Sequence, residues 1–208
     1  MRTATHASTA SLLATAALAA AAPLHAHAGP ADPPQVQLQL TAHGGDGCPR
    51  DAPDRTRVTI DPQGGFTATF DAFTARITAP PSAAQSRCSF AFTATVPAGY
   101  RLALSGAAHS GVAHLSKGRA QVSTTYFRTG AGRTTVGPAW TATRPFEGGW
   151  RHSHALEDVG SLRCGGTDEL FITHVVRVDG DEGNTVTVHS AGTGASAGWP
   201  LELRPCTR

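Results

Sequence analysis

Residues 88–96 read CSFAFTATV. Phe90, Phe92, Ala94 and Val96 occupy every second position, with small or hydroxyl-bearing residues between them. Successive side chains of an extended chain point to opposite faces, so this period marks a strand with one apolar side. Cys88 falls in phase with the apolar row, so a bridge formed there would tie the strand to the N-terminal segment.

The pattern recurs in both directions. In QVQLQL (35–40), Val36, Leu38 and Leu40 share a face. RVTI (57–60) stops at the Pro/Gly turn DPQGG (61–65), and FTATFDAFTARIT (66–78) follows with Phe66, Ala68 and Phe70 in phase until Pro80 and Pro81 break it. YRLALSGAAHSGVAHLS (100–116), AQVSTTYF (120–127) and TTVGPAWTATRPF (134–146) continue the extended reading, with KGR (117–119) as a turn. DELFITHVVRV (168–178) and NTVTVHS (184–190) flank DGDEG (179–183), which reads as a hairpin with an acidic loop. No stretch carries a helical period, and 23 glycines and 14 prolines agree with short strands and many turns. The expected fold is all-β, an antiparallel β-sandwich of which a jelly roll is one form.

The first residues differ from all of this. MRTATHASTASLLATAALAAAAPLHAHAG has a basic residue at Arg2, an apolar run from Leu12 to Leu24 and small residues at Ala26 and Ala28. That order describes a secretory signal peptide over 1–28, too short to span a membrane, which needs roughly 20 apolar residues. Residues 29–34 then read as a flexible lead-in and 35–208 as one domain. The expected product is secreted, periplasmic or extracellular, with no membrane anchor: there is no later apolar span and no cysteine near the cleavage point to accept a lipid.

Seventeen basic residues are scattered among 15 acidic ones, for a formal charge of +2. Nucleic-acid binding by phosphate neutralisation needs clustered cations, so that class is set aside. The four cysteines, Cys48, Cys88, Cys164 and Cys206, lack C-x-x-C or other zinc spacing, and in an exported chain they read as two disulfides with three connectivities. We expect Cys48–Cys88 and Cys164–Cys206, each closing about 40 residues and each worth about 4 kcal/mol by loop entropy.

Five stretches in order, GGDGCP (44–49), GFTATFDAFTARI (65–77), RCSFAFTATVPAGYRLAL (87–104), GVAHLSKGRAQVSTTYFRTG (111–130) and RCGGTDELFITHVVRV (163–178), together resemble the family known as domain of unknown function 4360, small secreted proteins of fungi and bacteria. The resemblance covers roughly Val36 to Arg208. It implies secretion, an all-β domain and a two-bridge framework, and it brings no activity, cofactor or catalytic residue. The block RHSHALEDV (151–159) departs from the family pattern.

That block lies within GGWRHSHALEDVG (148–160), the strongest hint of chemistry in the chain. On a strand His152 and His154 face one way, roughly 7 Å apart, close enough to share a metal completed by Glu157, Asp158 or, from a neighbouring strand, His174. The plainer expectation is a polar strand edge facing solvent. Asp179, Asp181 and Asn184 offer oxygen ligands for calcium but depart from the EF-hand loop, so a solvated turn is expected there. GASAG (194–198) matches a nucleophile elbow around Ser196, yet neither a helix nor a histidine follows it. His109 and His114 are five apart and face opposite sides, His43 reads as a loop residue, and nothing gathers the seven histidines after residue 28 into a sensor of low pH. Among Trp140, Trp150, Trp199 and Tyr126, Trp150 is the first candidate for ligand contact.

Two classes of function follow. The first is a non-enzymatic binding module, without cofactor, acting on a glycan, a cell surface or a secreted protein. The alternative is a metal-dependent hydrolase using His152 and His154 with a carboxylate.

Overall fold

The computed structural model describes residues 34–206 apart from 63, 80–81, 130–132, 144, 157–163 and 194–200. In chain order its strands are β1 (Gln37–Gly44), β2 (Thr56–Ile60), β3 (Phe66–Arg76), β4 (Ala83–Val96), β5 (Tyr100–Leu104), β6 (Gly106–Leu115), β7 (Gly118–Arg128), β8 (Arg133–Val136), β9 (Trp140–Ala142), β10 (Phe146–Ala155), β11 (Gly166–Gly180), β12 (Thr185–Thr193) and β13 (Leu201–Pro205). The helical content of the described residues is one 3-10 turn, Pro53–Arg55. All strand pairs are antiparallel. One sheet runs β1-β4-β11-β7-β8 with β9 also on β7, a second runs β10-β6-β12-β3-β2, and β5 and β13 form a ribbon of their own.

The two large sheets pack their apolar faces together, as the alternation in CSFAFTATV requires. Phe90, Phe92, Ala94 and Val96 on β4 are buried with Leu170, Ile172, Val176 and Val178 on β11. Opposite them stand Phe66, Ala68, Phe70 and Phe73 on β3, with Phe66 and Phe92 ring centroids 4.6 Å apart and Phe70 and Phe90 6.1 Å apart. The segment FDAF breaks strict alternation yet buries both Phe70 and Phe73. The register explains it: Val188 pairs with Phe73 and Ser190 with Thr69, so three residues of β3 oppose the single His189, and the bulge restores the inward phase.

The chain crosses between sheets more often than the sequence suggests. The turn at Ser116–Lys117 joins β6 in one sheet to β7 in the other, and DGDEG joins β11 to β12, likewise in different sheets. The hairpin expected at DGDEG is therefore corrected to a sandwich corner. Asn184, fully buried, fastens the two corners together. Its Oδ1 accepts from Ser116 N–H (2.9 Å) and its Nδ2 donates to the Lys117 carbonyl (2.6 Å). One side chain thus supplies an acceptor to the Ser116 N–H and a second donor to the Lys117 carbonyl, which also accepts from the Asp181 N–H (3.3 Å).

The disulfides are Cys48–Cys88 and Cys164–Cys206. The first is buried against the apolar side of β4, where the phase of Cys88 places it.

Gly111 on β6 lies opposite Trp150 on β10. A Cβ there would come within 1.9 Å of the Thr187 carbonyl oxygen and 2.8 Å of Trp150 Cζ2. The missing side chain leaves room for the β12 backbone at Thr187 and for the edge of the indole. Gly111→Ala is expected to cost about 3 kcal/mol, the upper part of the usual range for overpacking. Urea denaturation would measure it; a loss below about 0.5 kcal/mol would show that the β12 backbone at Thr187 and the indole both have room to move.

Candidate functional site

Two groupings of side chains stand apart from the apolar core. The first lies between the sheets. His152 is directly opposite His109 across the β10–β6 pair, and His154 lies two residues along on the same inward side. From the other sheet, β11 contributes His174 and β7 contributes Thr124. His109 Nε2 and His174 Nδ1 are 3.2 Å apart, and Thr124 Oγ1 lies 2.8 Å from the first and 2.9 Å from the second. The threonine has one proton to give, so one ring nitrogen accepts from it while the other donates to its oxygen. The rings of His109 and His154 stack at 5.8 Å, and those of His152 and His154 lie 5.1 Å apart. His154 fits because residue 137 is glycine, where a Cβ would come within 2.6 Å of His154 Nε2.

This arrangement disfavours charge. Burial is the main force lowering the His109, His154 and His174 pKa values, with mutual repulsion among the imidazoles adding to it. His154 is pushed down to about 4 and His174 to about 3, and His109 also falls well below the ordinary value. Neither ring nitrogen of His154, nor His174 Nε2, has a hydrogen-bond partner. His152, nearer the rim, donates from Nε2 to the Pro138 carbonyl (3.1 Å). No carboxylate of the described residues bonds to any of the four rings.

Several expectations change here. β10 is an edge strand, as a polar segment suggested, but its histidine face turns inward rather than to solvent. The histidines, expected to be dispersed, come together as a group of four, which includes His109 without His114. Among the described residues no group of three or more His, Cys, Asp or Glu could hold a metal ion; Glu157 and Asp158 lie outside those residues. Trp150 is 6% exposed and stacks on Trp140 with ring centroids 4.5 Å apart, so it is a packing residue rather than an open contact. Asp179 is paired with Arg177 at 2.9 Å, Asp181 accepts from the Ser116 hydroxyl, and the Asn184 amide is committed to the corner. All three side chains of the calcium reading are thus engaged with protein partners. Ser196 and Trp199 lie outside the described residues.

The second grouping is on the outer face of the β1-β4-β11-β7-β8 sheet. The cross-strand register aligns Ala42, Ala91, Phe171, Phe127 and Thr134 in one row and Gly44, Ser89, Thr173, Thr125 and Val136 in the next. Phe171 and Phe127 are direct partners with ring centroids 6.0 Å apart, and Phe127 is 38% exposed. Beside them the Ser89 and Thr173 hydroxyls bond at 2.9 Å. At the β1 edge the row runs into a hollow of about 350 Å³ lined by Ala42, Gly44, Arg50, Ser89, Ala91 and Phe171. Arg50 is held there by its Nε donating to the His43 carbonyl (2.8 Å). His43, expected in a loop, lies in β1 one residue before its end and lines this hollow. Both phenylalanines were missed in the sequence, although their signal was visible: each is an aromatic residue out of phase with the apolar row of its own strand.

A family model described as "Domain of unknown function (DUF4360)" matches residues 34–206. No curated protein matches the chain. Among solved structures it is similar to the enzymatically active domain of tailspike protein 4 of bacteriophage CBA120, at 9% identity and a TM-score of 0.25, over 82% of this chain and 19% of that one. It is also similar to the family 11 carbohydrate-binding module of the cellulosomal cellulase Lic26A-Cel5E of Clostridium thermocellum, at 10% identity and a TM-score of 0.21, over 77% and 88% of the two chains. A structure of a family 11 module from the same organism in complex with a β-1,3-1,4-mixed-linked tetrasaccharide gives 6% identity and a TM-score of 0.21, over 74% and 88%. Likenesses this slight carry no functional argument.

Proposed function

The chain belongs to the DUF4360 family, and we propose that it is a secreted, non-enzymatic module that binds a glycan across the outer face of its six-stranded sheet. The observation that carries this reading is the Phe171–Phe127 pair, set side by side on the solvent side of two central strands and continuous with the hollow at Arg50. A pyranose has a flat apolar face and a rim of hydroxyls. The first suits an aromatic ring, and the second needs hydrogen-bond partners at the same height, which Ser89, Thr125, Thr173 and Arg50 supply along one side of the row. The stripe is short in apolar area for a protein partner and rich in hydroxyls. The buried Cys48–Cys88 bridge ties the segment after β1 to β4 in this sheet, so little ordering is required when a ligand lies down on it.

Affinity electrophoresis against a panel of soluble neutral polysaccharides provides the test. At least one should retard the protein. Phe171→Ala and Phe127→Ala should each weaken that retardation about tenfold, or about 1.4 kcal/mol, with an unchanged melting temperature. Retention of full binding in the double variant would remove this face from consideration, and absence of binding across the panel would remove the glycan.

A further inference from the structure

We propose that the cluster of His109, His152, His154 and His174 is an acid-released clasp: proton uptake by its buried members His109, His154 and His174 frees the edge strand β10 from the sandwich while the sheet containing β4 and β11 stays paired. The cluster joins the two sheets. His174 and Thr124 belong to one, and His109, His152 and His154 to the other. Its closed form depends on neutral rings. A second ring proton in the His109–Thr124–His174 triangle sets two N–H groups against each other across 3.2 Å, where one donor and one acceptor now meet. A proton on His154 creates a cation stacked on His109, with no acceptor for either ring nitrogen. The surroundings do not compensate. Facing the cluster are Tyr126 on β7, whose phenol burial pushes up, Phe90 on β4, Ala191 on β12, and Gly137 and Pro138 ahead of β9; Arg128 is the inward charge further along β7. Glu157 and Asp158, which follow β10, lie outside the described residues.

Proton uptake should act first on β10 because that strand has a neighbour on one side only, β6, whereas β11 is paired on both sides. Two of the four histidines ride on β10, so its departure carries them to water. The same movement would unstack Trp150 from Trp140.

Hydrogen exchange read by mass spectrometry at pH 7, 6, 5 and 4.5, corrected for intrinsic exchange, tests the clasp on the intact protein. Protection of residues 146–155 should fall about tenfold or more between pH 7 and 4.5, while residues 83–96 keep theirs. Equal loss in both segments would mean global unfolding and would overturn the proposal, as would protection of β10 that persists at pH 4.5. His154→Gln, which removes one titrating ring, should shift the opening to lower pH. Should that variant not fold, the imidazole resonances of the unsubstituted protein decide instead. Joint titration of His109, His154 and His174 with β10 opening supports the clasp, and separate titrations with β10 closed refute it.

Discussion

Reduction of both disulfides is expected to lower stability by about 8 kcal/mol and leave the chain unfolded at 37 °C. The bridges close segments of 40 and 42 residues. Loop entropy alone assigns about 4 kcal/mol to each. They constrain different parts of the molecule. Cys48–Cys88 ties the segment after β1 to the middle of β4, and Cys164–Cys206 ties the approach to β11 to the segment following β13. With no shared partners their contributions should add. A single domain has about 5–15 kcal/mol in total, so losing one bridge should leave a weakened fold and losing both should not. Paired replacement of Cys164 and Cys206 by Ala should therefore cost about 4 kcal/mol in urea. The equivalent change at Cys48 and Cys88 should cost more, because both are fully buried and leave a cavity. A reduced protein with an unchanged urea midpoint would contradict this.

Acid should also destabilise the fold. Burial holds the folded-state pKa values of His109, His154 and His174 below the ordinary imidazole value of 6.5. The unfolded chain therefore takes up protons first as pH falls. Stability from these groups is complete above about pH 6.5 and is lost as the pH drops through 6.5 toward about 4 for His154 and about 3 for His174. At pH 5 the fully buried His174 alone costs on the order of 2 kcal/mol, and His109 and His154 add to the loss in the same direction. The loss should level off where release of β10 becomes easier than further strain. Urea titrations at pH 7.5, 6 and 5 would show the decline, and a flat stability profile between pH 7.5 and 5 would mean that the cluster is more open to water than its burial indicates.

The strands were legible because alternation is a local property. The inward phase of Phe90, Phe92, Ala94 and Val96 needs no knowledge of what they pack against. The partition into sheets was not legible, since alternation separates inside from outside without saying which sheet a strand joins. DGDEG carries the composition of a hairpin loop, and nothing within it shows that its flanking strands diverge to opposite sheets. β10 presents the same difficulty in sharper form. Trp150, His152 and His154 visibly share a face, but imidazole is at home in water or in a buried network. The side is settled by His109 on β6 and by His174 on β11, which lies 65 residues further on in the chain than His109. The outer face was overlooked for a different reason. Phe127 follows the buried Tyr126 and Phe171 follows the buried Leu170, so each reads as part of an apolar run until the phase of its strand is counted.

The most direct measurement of the central claim is a residue-resolved NMR titration of the protein with the neutral oligosaccharide that corresponds to the best polysaccharide of the panel. The largest amide shifts should fall on Ala91, Phe127, Phe171, Thr173 and Thr125, with Arg50 responding at the edge and β12 unmoved. Shifts centred on β2, β3 or β12, or no shifts at millimolar sugar, would contradict a glycan site on this face.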